Sequence, residues 1–145
     1  MIGAARWRDN VRIVSPPGAT RVELGRSRAR RRAALRTVVD LPTGAAVVFT
    51  TSAPGAARRS RAFAADAGLE IEREYLALPT ASAPAYLVEV APAPVHVFVD
   101  SVLVAPPGIR FSAPAAAMLA AMRALGPWRL LRTFAPGRVV IARRT

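Results

Sequence analysis

The sequence has no cysteine and no lysine, and His96 is its single histidine. Without cysteine there can be no disulfide, thiolate metal site or cysteine nucleophile. One histidine surrounded by valines offers no partner for a triad or an imidazole metal cluster, and packing is its simplest role. Paired carboxylates at acid/base spacing are missing too, and no acidic or histidine cluster has ligand spacing, so no metal site is expected. Aromatics make up only 6% of the chain and do not interleave with its basic residues, which argues against stacking on single-stranded RNA. Tyr75, Tyr86 and Trp128 read as core or rim residues. No long apolar run is present either. The most apolar stretch, Tyr86 to Gly108, is interrupted by Glu89, Asp100 and four prolines, so it cannot form a membrane-spanning helix. The N-terminus, MIGAARWRDNVR, lacks the apolar core of a secretory signal. A soluble, cytoplasmic protein is the expectation.

What the chain has in excess is arginine. It carries a formal net charge of +12 over 145 residues, and the imbalance is local. Residues 1–61 hold thirteen arginines against three acids; residues 62–145 hold eight against six. A GC-rich coding sequence would favour arginine over lysine, but it does not account for the excess of base over acid. Arginines neutralise phosphates and release counterions, so nucleic acid or another polyanion is one candidate partner. At 52% hydrophobic residues the chain is not of disordered composition, and its length suits one domain with a genuine core.

Residues 1–19 contain Ser15-Pro16-Pro17-Gly18 and read as an irregular N-terminal arm before a single domain over 20–145. Thr20–Leu24 reads as a short strand ended by Gly25, and Arg26–Asp40 as a helix. Ala45–Thr50 is an apolar run of strand length, suited to a strand covered on both faces. A helix over Ala56–Ala67 is stopped by Gly68. Leu69–Leu78 alternates, with Leu69, Ile71 and Tyr75 on one side and Glu70, Glu72 and Glu74 on the other. Such a pattern predicts a half-exposed strand at a sheet edge. Residues 79–94 are punctuated by proline, and Val95–Val104 fits either a helix or a buried strand. Ser112-Ala113-Pro114 begins a helix that carries Met118, Leu119, Met122 and Leu125 on one face. Trp128–Phe134 and Arg138–Ala142 flank a Pro-Gly turn and suggest a closing antiparallel hairpin. The predicted fold class is α/β: a small Rossmann-like open sheet with an antiparallel C-terminal strand.

Leu41–Pro79, together with the C-terminal FAPGRVVIARRT, resembles the second half of class I S-adenosylmethionine-dependent methyltransferases. Leu41-Pro42-Thr43-Gly44 takes the place of the turn into the fifth strand. Ala64–Leu69 takes that of the AGF-like element before the sixth strand, and Val139–Ala142 that of the seventh. The resemblance implies that the last strand inserts antiparallel between the fifth and sixth. It also implies S-adenosylmethionine as cofactor and a small-molecule or glycan-like substrate. The nearest match to the family's cofactor loop is Val22–Ser27, with Glu23 and Gly25 as cofactor contacts and Ser27 where a second glycine is usual. With Gly25 in the loop, too little chain precedes Ala45 for three further strands. The chain is then either a shortened descendant of the family or its second half.

Two function classes stay open. One is a methyltransferase-like domain, truncated or inactive. The other is a non-catalytic basic domain that binds nucleic acid or another polyanion through Arg26–Arg36, with Arg26, Arg28, Arg30, Arg31 and Arg32 as the anion-binding set. The bland reading of that set is a solvated helix face. For Glu23 and Gly25 it is a strand end and a turn. Thr50-Thr51-Ser52, placed before the helix with Arg58 and Arg59, could cradle a phosphate, although true phosphate loops carry more glycine and a lysine.

Overall fold

The structure, a computed structural model, describes residues 10–52, 54–102, 127–135 and 137–145, with the isolated positions 117, 120 and 124. The helix expected from Ser112, with Met118, Leu119, Met122 and Leu125, lies outside the described residues. So does the first part of the N-terminal arm.

Five strands form one open, mixed sheet in the order β1-β2-β5-β3-β4. They are β1 (Thr20–Leu24), β2 (Ala46–Ser52), β3 (Leu69–Leu78), β4 (Tyr86–Glu89) and β5 (Gly137–Arg144). β1 and β2 are parallel, whereas β5 runs antiparallel to both of its neighbours, β2 and β3. The fold is therefore the small Rossmann-like open sheet with an antiparallel C-terminal strand. The helices are α1 (Asn10–Val14), α2 (Arg28–Val39), α3 (Ala56–Asp66), α4 (Pro92–Ser101) and α5 (Pro127–Phe134). None of the described helices is long and apolar enough to cross a membrane.

Strand alternation divides the core between the two faces of the sheet. Val47 and Phe49 of β2 and Val140 and Ala142 of β5 point toward α2 and α3, where they meet Ala34, Val38, Phe63 and Ala64. The Phe49 and Phe63 rings pack edge to face, 5.1 Å between centroids. Farther along the same face, Leu76 and Val88 pack against Val95, Phe98 and Val99 of α4 and Leu131 of α5. Val48, Tyr75, Val139 and Ile141 form the opposite face, with Val11 of α1 and Ala81 packed on them. The helices α2 to α5 thus make one layer over one face.

Four local expectations need correction. The supposedly irregular arm contains α1, whose Val11 is buried and whose Asn10 amide donates to the Pro84 carbonyl at 2.8 Å. Trp128–Phe134 is a helix rather than one arm of a hairpin. Trp128 and Leu131, three residues apart, pack inward while Arg129, Arg132 and Thr133 are exposed, which is a helical period. Pro127 opens α5 because a first-turn residue needs no N–H partner. β3 is not an edge strand. It lies between β5 and β4, and β4 arises from the proline-punctuated stretch.

The fourth correction concerns the phase of β3. Its register with β5 passes from Ile71↔Ala142 to Arg73↔Ile141, leaving Glu72 as the extra residue of a β-bulge. Beyond the bulge the side-chain phase inverts. Glu74 joins Leu69 and Ile71 on the helical face, and Tyr75 goes to the other. Glu70 and Glu72 remain exposed, but Glu74 is drawn inside. The described part of the stretch Val95–Val104, open between two states, falls in α4 over Pro92–Ser101 and its C-cap, while residues 103 and 104 lie outside the described residues.

Candidate anion-binding face

At the carboxyl end of β1 the chain turns through Gly25 into α2. Ser27 caps the helix, its hydroxyl accepting from the Arg30 backbone N–H at 3.2 Å. For that reason α2 begins at Arg28 rather than Arg26. Gly25 is buried, and its carbonyl accepts from the Arg59 guanidinium at 2.8 Å. Glu23, Gly25, Arg26, Ser27, Arg30 and Ser52 surround a polar cleft over the ends of β1 and β2. This is where open α/β sheets hold ligands.

The cleft does not fit S-adenosylmethionine. A cofactor glycine exists so that the backbone can approach the ligand closely. At Gly25 that space is taken. A Cβ built there would lie 2.4 Å from Arg30 Cδ and 2.8 Å from Arg30 Cβ, because the arginine stem rests on the glycine. Glu23 is an exposed strand-end carboxylate. The next turn contains no further glycine, and its serine is occupied as a helix cap. Glu23 and Gly25 are thus brought together, but as a strand end and the packing partner of Arg30.

The five arginines proposed as one site separate. Arg31 is half-buried and pairs with Asp66 of α3 at 2.5 Å. Arg30 packs on Gly25 and, with Arg26, borders the cleft. Arg28 and Arg32 project outward, and Arg36, one turn farther on, continues their row. Among the described residues no carboxylate forms an ion pair with Arg28, Arg32 or Arg36. The first turn of α2 holds no acidic residue, so the positive helix end and Arg28 reinforce each other. Like charges spaced four apart repel, which raises the local demand for an anion.

Two further features were not read from the sequence. Arg138 of β5 is fully buried, with Nη1 at 3.2 Å from Glu74 Oε1. Its Nη2 donates to the carbonyls of Leu131 and Arg132 at the end of α5, where a cation suits the helix dipole. Burial pulls the Arg138 guanidinium below its usual value, and the Glu74 charge opposes that shift. Glu74 also approaches Arg61 of α3, 3.4 Å away. The second feature is a groove between α3 and α5 bordered by four arginines: Arg58, Arg61, Arg129 and Arg132. Only the bulge in β3 brings Glu74 to Arg138, and only the helical state of residues 127–134 brings Arg129 and Arg132 to α3. Neither event has a short-range sequence mark.

The remaining candidates scatter. Thr50 borders a pocket on the α1 side of the sheet, Thr51 is buried on the helical side, and the Ser52 hydroxyl accepts from the Ala81 N–H at 3.1 Å. They do not form a phosphate cradle. His96 is exposed on α4, not packed. Tyr75 is core, whereas Tyr86 is an exposed rim residue whose ring meets Phe98 edge to face. Among the described residues no cluster of three acidic or histidine side chains could hold a metal ion. Set beside known proteins, the chain matches no family model, no curated protein and no solved structure.

Proposed function

We propose that this chain is a non-catalytic, methyltransferase-like domain that binds polyanions through the outer face of α2. The observation that carries this reading is the row Arg28, Arg32 and Arg36: exposed, one helical turn apart, and without a carboxylate partner among the described residues. A row of guanidiniums on one helix suits the regularly spaced phosphates of a nucleic-acid backbone, which gives affinity without sequence choice. Spaced to follow phosphates, the row is expected to bind without sequence preference. The test is the salt dependence of duplex binding, compared between the wild type and the paired Arg28→Ala, Arg32→Ala variant. The pair is chosen because Arg30 and Arg31 have structural work to do and Arg28 and Arg32 do not.

Methyltransferase descent draws its support from the strand order. β5 lies antiparallel between β2 and β3, as the resemblance implies for the family's last strand. In that reading the polar cleft over β1 and β2 takes a small polar or glycan-like substrate, and the cofactor contacts are not those of Glu23 and Gly25. The expected result of titrating S-adenosylmethionine into the chain is no saturable binding below about 1 mM, a free energy no better than about −4 kcal/mol. A micromolar dissociation constant would overturn the non-catalytic reading and return the chain to the enzymes.

A further inference from the structure

The groove between α3 and α5 has a composition that the α2 row does not explain. Each helix contributes two arginines three residues apart, Arg58 with Arg61 and Arg129 with Arg132, so each pair stands on one helix face. The inward packing of Trp128 and Leu131 fixes the phase of α5 and turns Arg129 and Arg132 toward the groove. Gly55, Ala57 and Ala62 supply a small-residue floor that keeps it open.

The internal counter-charge is slight. Among the described residues Glu74 is the one carboxylate in ion-pair range of any of the four, through Arg61, and it already serves the buried Arg138. Arg132 lies over the Trp128 ring, 5.5 Å from its centroid, a contact that orients the guanidinium without neutralising it. Arg58 and Arg129 have no ion-pair partner among the described residues. Four guanidiniums held around one concavity of roughly 870 Å³ repel each other unless an anion enters.

We propose that this groove is a binding site for a chain of phosphates, as carried by a nucleoside triphosphate or by inorganic polyphosphate. A single phosphate offers its oxygens to one or two arginine forks at a time. Two pairs on separate helices call for several phosphates in line. The groove is separate from the α2 row, so either site can fail while the other stands.

The test is calorimetric titration of the whole chain with inorganic tripolyphosphate, orthophosphate and a nucleoside triphosphate. Tripolyphosphate is expected to bind at least about ten-fold more tightly than orthophosphate, because it engages both arginine pairs. The nucleoside triphosphate should match tripolyphosphate within about three-fold, since recognition lies in the phosphates. Arg58→Ala with Arg129→Ala should weaken tripolyphosphate about ten-fold or more through the loss of two charge-assisted contacts. Arg28→Ala with Arg32→Ala should change it less than about two-fold, with folding of both variants checked by circular dichroism. Should the groove variant unfold, Arg58→Lys with Arg129→Lys replaces it and is expected to weaken binding several-fold, because lysine cannot make the bidentate contact. Equal losses in the α2 and groove variants, or equal affinity for orthophosphate and tripolyphosphate, would overturn the assignment. So would a nucleotide preference above about ten-fold, which would place recognition in the nucleoside.

Discussion

Arg138 is the one fully buried charged residue among the described positions, and Glu74 is its only nearby counter-charge. Its Nη1 lies within ion-pair distance of Glu74 Oε1 without hydrogen-bond alignment, so attraction between charges matters more here than a directed bond. Removing one member of a buried pair strands the other in a medium where solvation cannot compensate. Glu74→Gln is therefore expected to destabilise the fold by about 3 kcal/mol in denaturant unfolding. The control is Glu72→Gln. Its partner Arg143 is half-exposed, at 2.7 Å, and the expected loss is under about 1 kcal/mol. Equal losses in the two variants would show that Arg138 does not depend on Glu74. Nothing in the local sequence separates these two glutamates. Both sit at alternate positions of a strand-like run, and the bulge alone sends Glu74 inward and leaves Glu72 outside. The arginine run is similar. Its excess charge is plain in composition, while the separate duties of Arg30, Arg31 and Arg32 depend on Gly25, Asp66 and solvent respectively.

At the scale of elements, β5 makes the sheet continuous, and its first residue fixes how closely it can enter. A Cβ at Gly137 would lie 2.4 Å from the Ala77 carbonyl oxygen and 2.8 Å from the Ala81 nitrogen, both backbone atoms that cannot swing aside. At Gly25 the nearest atom, Arg30 Cδ at 2.4 Å, can swing aside, whereas Arg30 Cβ at 2.8 Å is held by the α2 backbone. Gly137→Ala is expected to cost about 2 kcal/mol or more, and Gly25→Ala about 1 kcal/mol, measured by the same denaturant midpoint. A reversal of that order would place the tight approach elsewhere. Elements with a strong period were legible: β2 from its apolar run, α3 from its length and Gly68, β3 from its alternation. Gly68 has φ +60°, and Arg144 donates to the carbonyls of Ala67 and Gly68, completing the helix end foreseen there. Of the short elements, β1 was read with its bounds, Thr20–Leu24, while α5 and β4 were not legible. Trp128–Phe134 has too few residues to distinguish a strand from a helix by composition, and its 128/131 spacing becomes a helical face only through the packing of Trp128 and Leu131. β4 was hidden because four residues beside prolines pair only through the long strand next to them.

Over the whole of the described structure, one layer of helices covers one sheet face, and its outward surface carries five exposed arginines with no ion-pair partner among the described residues. Arg28, Arg32 and Arg36 lie on α2, Arg58 on α3 and Arg129 on α5. Part of the net charge of +12 is therefore gathered on one face. Such a surface favours association with polyanions and weakens it as salt rises. The carboxyl ends of β1 and β2, where an enzyme of this architecture would work, hold Arg30 packed on Gly25 and a capped helix. The reading proposed above, binding through α2, draws on both the charge and the cleft. The deciding measurement is the slope of log binding constant against log salt for a generic duplex. The wild type should fall steeply, and Arg28→Ala with Arg32→Ala should flatten the slope by about 2 while the fold is retained. An unchanged slope in the folded double variant, or feeble wild-type binding at physiological salt, would contradict polyanion recognition by α2.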